Sequence, residues 1–353
     1  MNYSLPEMYS RCKGRESEWP SRGSLYESFM EYMNNLESEI KSESSELNLD
    51  KKISLNDKKI FIFGSMKSGT SLLLNLLDGH PQLACLPVDA HLLKHYNNND
   101  KDKKDFYDLI HKLWFRKLIS PTGREPFLVF GDSRKSYLKF SFYLREMLNC
   151  DLSNFNSFNI AASSYVNASS FFEGKDNLIP VEKTPENEYK FDLISTNFPN
   201  SKYLHIIRDP IVNYISLKRN AKNLNYSFHP GVAINGIIRS LYAAKINSEL
   251  DDKNYLVIRY EDLTSNLESF STKITDHLQI SKSKSLLTPS ILGKQVKSNS
   301  MYSNLQNKSN VYSRNLKEDR EKSLKQFSEQ DVEVFRSLSL EAITLIREFD
   351  YEI

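Results

Sequence analysis

The chain has almost no excess of either charge: 47 lysines and arginines stand against 45 aspartates and glutamates in 353 residues, a formal net charge of +2. Such a balance sets up no global field able to recruit a nucleic acid or an anionic membrane surface, so any anion site has to be local. Cysteine is scarce too. Cys12, Cys85 and Cys150 lie far apart and match no metal-ligand spacing, which argues for reduced thiols rather than a disulfide framework or a metal site. No run reaches the roughly 18 apolar residues of a membrane span, and the opening "MNYSLPEMYSRCKGRESEWP" has no apolar stretch suited to a signal peptide. The expected compartment is the cytoplasm, with no integral membrane segment. No segment repeats another.

What the chain does have is enough apolar (39%) and aromatic (12%) residues for a large core. Ser24 to Ile40 reads as a helix: Ser24 and Glu27 make a capping box, and Leu25, Phe29, Met33, Leu36 and Ile40 recur at steps of three and four. A polar linker follows, "KSESSELNLDKKISLND". Beyond it, β-branched and aromatic runs at Ile60–Phe63, Leu83–Leu86, Ile179–Val181, Tyr203–Ile207 and Tyr255–Ile258 alternate with long helical segments, the pattern of parallel strands joined by crossover helices. The expected organisation is an N-terminal extension and linker over residues 1–55, then one α/β domain over 56–353. That domain carries a helical insertion at about 100–170, read either as a pocket wall or as a surface elaboration. From Ser328 the tail reads as one closing helix, opened by Ser328 and Asp331.

The chemistry concentrates in "FIFGSMKSGTSLLLNLL". A buried strand ends at Gly64, a tight loop follows, and a helix opens near Thr70 with Leu72, Leu73, Leu76 and Leu77 towards the core. Loop amides and the positive end of the helix converge on one point, which makes an anion site before any side chain contributes. Ser68, Thr70 and Ser71 add hydroxyls. An ATP-binding loop places lysine directly after its last glycine, with a hydroxyl for magnesium behind it. Here Thr70 occupies that position, and the lysine, Lys67, sits three places nearer the strand. From there it projects over the loop towards the group that follows a single 5′-phosphate.

This arrangement resembles the 5′-phosphosulfate loop of sulfotransferases that use 3′-phosphoadenosine-5′-phosphosulfate, and "LLDGHPQLACLPVDAHLL" is similar to their protein-tyrosine and carbohydrate branch. The resemblance implies a P-loop-like three-layer α/β fold, a central parallel sheet flanked by helices, with the ligand across the carboxyl ends of the strands. It further implies that Lys67 meets the leaving phosphate while Ser68, Gly69, Thr70 and Ser71 surround the 5′-phosphate. "YLHIIRDPIVNYISLKRN" has the family's spacing for the 3′-phosphate, assigned by the same resemblance to Arg208 and Ser216, with Asp209 and Pro210 shaping the turn. "LVIRYEDL" matches a third block, with Tyr260 placed near the adenine and Glu261 and Asp262 structural. "KSNSMYSNLQNKSNVYSRNLKEDRE" resembles the closing C-terminal loop, where Lys308, Ser309 and Arg314 are phosphate candidates.

Sulfuryl transfer needs a base for the acceptor's proton and positive charge on the departing phosphate. Related enzymes place a glutamate shortly after the H-P pair; here the stretch is Leu86-Pro87-Val88-Asp89-Ala90-His91, one acid short, which leaves Asp89 as the candidate base. His91 and His95 are alternatives, and His80 is expected to pack behind the loop. "IPVEKTPEN" resembles a block whose lysine approaches the transferring sulfonate, here Lys183. The expected function is sulfonate transfer without a metal to a small-molecule, carbohydrate, lipid or peptide acceptor through a hydroxyl or amine. Two alternatives stay open: a nucleotide kinase or NTPase, which magnesium-dependent ATP turnover would reveal, and a nucleotide-binding protein without catalysis.

Overall fold

All five expected strands pair into one sheet. β1 (Ile60–Phe63), β2 (Leu83–Cys85), β3 (Ile179–Lys183), β4 (Lys202–Ile207) and β5 (Tyr255–Arg259) run parallel in the order β2-β3-β1-β4-β5. The computed structural model describes residues 53–86, 89, 134–149, 157–223, 225–296 and 315–353, with isolated positions at 35, 38, 39, 107 and 110. The helices are α1 (Thr70–Leu77), α2 (Arg134–Asn149), α3 (Ser157–Ala168), α4 (Phe191–Asn197), α5 (Pro210–Asn223), α6 (Pro230–Leu250), α7 (Tyr260–Ser265), α8 (Leu267–Leu278), α9 (Leu316–Leu324), α10 (Glu329–Arg336) and α11 (Leu340–Glu348). Among the described residues no helix is long and apolar enough to cross a membrane.

β1 is buried on both faces, which is why its sequence is apolar throughout rather than alternating. Ile60 and Ile62 point into an aliphatic layer with Leu72, Leu73, Leu76 and Leu77 of α1 and Phe270, Ile274 and Leu278 of α8. Phe61 and Phe63 point the other way, into an aromatic layer with Tyr203, Tyr255, Phe158 and Phe198. α2 and α3 cover that second face, burying Tyr137, Phe140, Leu144, Phe158 and Tyr165 almost completely. The 100–170 region, where described, is therefore a layer of the core, and the surface-elaboration reading does not hold for α2 and α3. Their irregular spacing misled because a helix buried on most sides shows no clean apolar stripe. A third cluster joins α5, α6 and α11 around Tyr214, Ile237 and Ile346.

Two sequence expectations need adjusting. The closing helix is two helices, α10 and α11. Ser328 and Asp331 do form the capping box of α10, but Ser339 accepts from the Ala342 amide at 3.3 Å and starts a new helix. The linker also ends docked: Leu55 bridges Leu178, the Asn56 amide donates to the Leu178 carbonyl at 2.8 Å, and Ser54 binds Asp176 at 2.5 Å. The Ser24–Ile40 helix lies outside the described residues except at Asn35, Ser38 and Glu39, which are helical.

Candidate functional site

Each strand of the sheet delivers one side chain of interest from its carboxyl end, and the strand order arranges them in a row. Asp89 follows β2, Lys183 ends β3, Lys67 lies in the loop after β1, Arg208 follows β4 and Tyr260 follows β5. Chain order reverses on the two sides of β1, and open parallel sheets place their ligand crevice at such a point.

The β1 loop is shaped by backbone constraint. Gly64 (φ 143°) and Gly69 (φ 117°) both lie in the region that side chains avoid, and Lys67 itself has φ 68°. A Cβ on Gly64 would sit 2.4 Å from the Ile206 carbonyl, and one on Gly69 would sit 2.5 Å from the Tyr260 ring. The loop is therefore wedged between β4 and Tyr260. α1 begins with no side-chain cap and no acid in its first turn, so its positive end stays uncompensated. The amides of Gly69, Thr70 and Ser71 have no partner among the described residues, whereas the Ser68 amide donates to the Ser65 carbonyl at 3.1 Å and is not free. Ser68 Oγ is fully buried and has no partner among the described residues.

Arg208 closes the loop from the β4 side. Its Nη1 donates to the Lys67 carbonyl at 3.1 Å, its guanidinium lies 4.3 Å over the Tyr260 ring, and its Nε has no partner among the described residues. Asp209 caps α5, accepting from the Ile211 and Val212 amides at 2.9 and 3.0 Å, while Arg320 of α9 pairs with its other oxygen at 3.0 Å. Its amide donates to Glu261, which in turn accepts from the Tyr351 hydroxyl at 2.7 Å. Beside Arg208 and Tyr260 opens a cavity of about 460 Å³ that also takes in Lys317, Arg320 and Tyr351. Ser216 lies half-buried on α5, two turns beyond Arg208.

Burial lowers the proton affinity of Lys67, and the charges of Arg208, Arg219 and Lys183 lower it further. Cations crowd together here, and crowding of one sign is the electrostatic mark of a site that takes an anion. On the opposite flank Lys183 forms an ion pair with Asp89, 94 residues away in sequence. β2 and β3 are neighbours, so the residues leaving their carboxyl ends meet. Glu182 precedes Lys183 and is fully buried, accepting from Asn187 Nδ2 at 2.9 Å and from Thr184 Oγ1. Burial first, then the charge of Asp89, push its carboxyl up to about 7 against the opposing pull of Thr184, Lys183 and Asn187.

The structure thus keeps Lys67, Ser68, Gly69, Thr70 and Ser71 in one loop, sets Arg208 against that loop from the β4 side, and places Asp89 against Lys183. Sequence reasoning missed Arg219, which acts on Lys67, and Asn213, whose Nδ2 holds Ser65 Oγ at 2.7 Å. Both lie on the helix opened by the R-D-P turn, so periodicity along α5 was the available signal. Glu182 was in view within "VEKTPEN" without a role. His80 is buried in the turn after α1, its Nε2 2.9 Å from the Ser281 carbonyl. Cys85 is a buried thiol whose proton affinity burial raises. His91, His95, Lys308, Ser309, Arg314, Cys12 and Cys150 lie outside the described residues. Among the described residues no three or more His, Cys, Asp and Glu side chains gather as a metal site.

This geometry belongs to a known class: the chain is a member of the sulfotransferase family, whose sequence profile matches residues 59–284. That membership makes it a transferase of the sulfotransferase kind, and it is this, not a kinase or NTPase profile, that the chain matches. No curated protein sequence matches it. Among solved structures it is similar to the sulfotransferase domain from the Synechococcus PCC 7002 olefin synthase, at 20% identity and a TM-score of 0.50, over 87% of this chain and 98% of that one. The sulfotransferase domain from the curacin biosynthetic pathway is similar at 18% identity and a TM-score of 0.50, over 85% and 99%. At such identities the likeness speaks for the fold.

Proposed function

We propose that the protein transfers a sulfonate group from 3′-phosphoadenosine-5′-phosphosulfate to an acceptor hydroxyl or amine. The observation that carries the reading is the pair of buried donors at the carboxyl ends of β1 and β4, Ser68 Oγ and Arg208 Nε, which have no partner among the described residues and stand in the cationic surroundings of Lys67. Buried donors left open cost free energy, and a phosphate oxygen would answer them.

In the step, the acceptor oxygen or nitrogen attacks sulfur in line and the bond from sulfur to the 5′-phosphate oxygen breaks. Lys67, Ser68, Thr70 and Ser71 receive the charge that builds on the departing phosphate. Asp89 takes the acceptor's proton, and Lys183 sits where it can offset charge on the transferring group. Arg208 and Ser216 hold the 3′-phosphate, with Tyr260 and the neighbouring cavity on the adenine side. The row across the sheet supports this division: base and acceptor over β2 and β3, nucleotide over β4 and β5. The acceptor is a small molecule, carbohydrate, lipid or peptide.

Purified protein given the labelled donor and fractionated extract should yield sulfonated product detectable by mass, and Lys67→Ala should lower its yield on the order of a hundredfold or more. Tight binding of adenosine 3′,5′-bisphosphate with no transfer to any fraction would instead favour a binding protein without catalysis.

A further inference from the structure

The loop after β1 turns sharply before α1 opens. Its Ser65 carbonyl accepts from the Ser68 amide at 3.1 Å, which closes a β-turn over Ser65, Met66, Lys67 and Ser68. Lys67 is the third residue of that turn and has φ 68°, a place that turn chemistry gives to glycine or asparagine. A lysine keeps such a backbone only where its surroundings impose it. Burial of the turn's second residue supplies little, since Met66 is 50% exposed.

Side chains at the head of α5 supply the rest. β1 and β4 are hydrogen-bonded neighbours, so the loop leaving the first lies beside the helix that follows the second. From that side Arg208 Nη1 donates to the Lys67 carbonyl at 3.1 Å, and Asn213 Nδ2 donates to Ser65 Oγ at 2.7 Å. The first and third residues of the turn are thereby fixed to one helix. Asn213 is 1% exposed, and its Oδ1 has no partner among the described residues. A buried amide satisfied at one end only serves stability less well than an apolar side chain of its size, so the fold alone gives no reason for asparagine there.

We propose that Asn213 is a positioning residue of the transfer site: it anchors the first corner of the turn and so holds Lys67 ready for the departing phosphate. This rests on the reading of Lys67 as the residue that receives charge from that phosphate. Asn213 touches neither donor nor acceptor in this scheme; it acts through Ser65 on the backbone of Lys67. With the anchor gone, Lys67 relaxes from its positive φ, and a misplacement of about 1 Å costs on the order of a hundredfold in rate. Arg208 still holds the third corner, which spares part of that loss.

A double-mutant cycle over Asn213→Ala and Ser65→Ala tests it. Ser65→Ala is the milder change, one hydroxyl removed from a half-buried loop residue, and it decides the matter alone should Asn213→Ala fail to fold. Each single variant should lower kcat about tenfold while affinity for adenosine 3′,5′-bisphosphate moves less than about threefold, and the double variant should lose no more than either single. Effects that multiply in the double variant, or affinity lost in proportion to rate, overturn the proposal. A second arm reads the turn without turnover. Hydrogen exchange at the Ser68 amide should quicken about tenfold in each single variant and no further in the double, while the amides of α6 stay as in wild type. Unchanged exchange at Ser68, or exchange quickened throughout the molecule, refutes the positioning role. Should wild type transfer sulfonate to nothing, the proposed function fails on its own, and the exchange arm still decides whether Asn213 sets the turn.

Discussion

The loop after β1 and the polar cluster around His205 on β4 are buried against the same sheet, yet the donors of the first are left open and those of the second are matched. Around His205 each donor finds an acceptor in sequence. Asn247 Nδ2 donates to the Tyr255 hydroxyl at 3.3 Å, that hydroxyl to His205 Nδ1 at 2.6 Å, His205 Nε2 to Ser240 Oγ at 3.1 Å, and Ser240 Oγ to Glu188 Oε1 at 2.9 Å. The direction follows from the start: Asn247 Nδ2 only donates, so the Tyr255 hydroxyl gives its own hydrogen to His205 Nδ1, which puts the hydrogen of the neutral imidazole on Nε2. Burial agrees, holding the His205 proton affinity down to about 3. In the loop after β1 and on Arg208 beside it, by contrast, Ser68 Oγ and Arg208 Nε have no partner among the described residues, and cations stand together. A chain of matched donors stabilises the fold and needs no ligand; open donors under crowded positive charge call for an anion.

The contrast can be broken at its strongest point first. Lys67→Ala should cost sulfonate transfer on the order of a hundredfold to a thousandfold, as removal of a donor to developing negative charge does, while stability moves by less than about 0.5 kcal/mol. A transfer assay beside a denaturant melt checks both halves, and unchanged transfer removes Lys67 from the mechanism. Next, Gly64→Ala should destabilise by about 2–4 kcal/mol, because the added Cβ meets the Ile206 carbonyl at 2.4 Å in a backbone region closed to alanine. Urea unfolding measures it. Arg208→Ala should weaken adenosine 3′,5′-bisphosphate binding about ten- to a hundredfold, read by calorimetry, with a smaller effect on the rate at saturation.

The smallest effect tests the matched cluster. His205→Gln should destabilise by about 1–2 kcal/mol, since the Tyr255 and Ser240 hydroxyls lose a matched partner, and should leave saturated transfer nearly untouched. It also has a sign in pH. The folded protein holds His205 neutral down to about 3, whereas the unfolded chain protonates it at the ordinary value of 6.5. Its contribution is therefore complete above 6.5 and is lost as pH falls from there towards 3. Unfolding curves at pH 7 and pH 4.5 should differ less in His205→Gln than in wild type, with His277, held down to about 4, retaining its own share. An identical pH dependence in the two proteins would mean that His205 is not held neutral.

Much of the fold was legible because its signals are local. The strands lie where apolar β-formers cluster, and "GSMKSGT" announces a tight turn before a helix whose leucines are all buried. The R-D-P turn opens α5 at Pro210, with Asp209 as its cap. Where reading failed, the deciding contacts were distant. The tail splits because Ser339 caps a second helix against a core that periodicity does not describe. α2 and α3 look irregular because they are covered on several sides. Glu182 looked like filler beside Lys183 because nothing in "VEKTPEN" tells that it is buried or that Asp89 lies near.

The sequence by itself determined the pieces of this protein: apolar runs that must pair as strands, a glycine-bounded turn that carries Lys67 and leads into a helix, and an arginine at the head of a helix. Each depends on the conformational preferences of residues a few positions apart. Only the tertiary structure decided the order β2-β3-β1-β4-β5, and with it which strand ends stand side by side. That order sets Asp89 against Lys183 and brings Lys67, Arg208 and Arg219 into one field. Strand pairing is a contest among contacts far apart in the chain, settled by burial of both sheet faces at once, and no short stretch of residues contains the result.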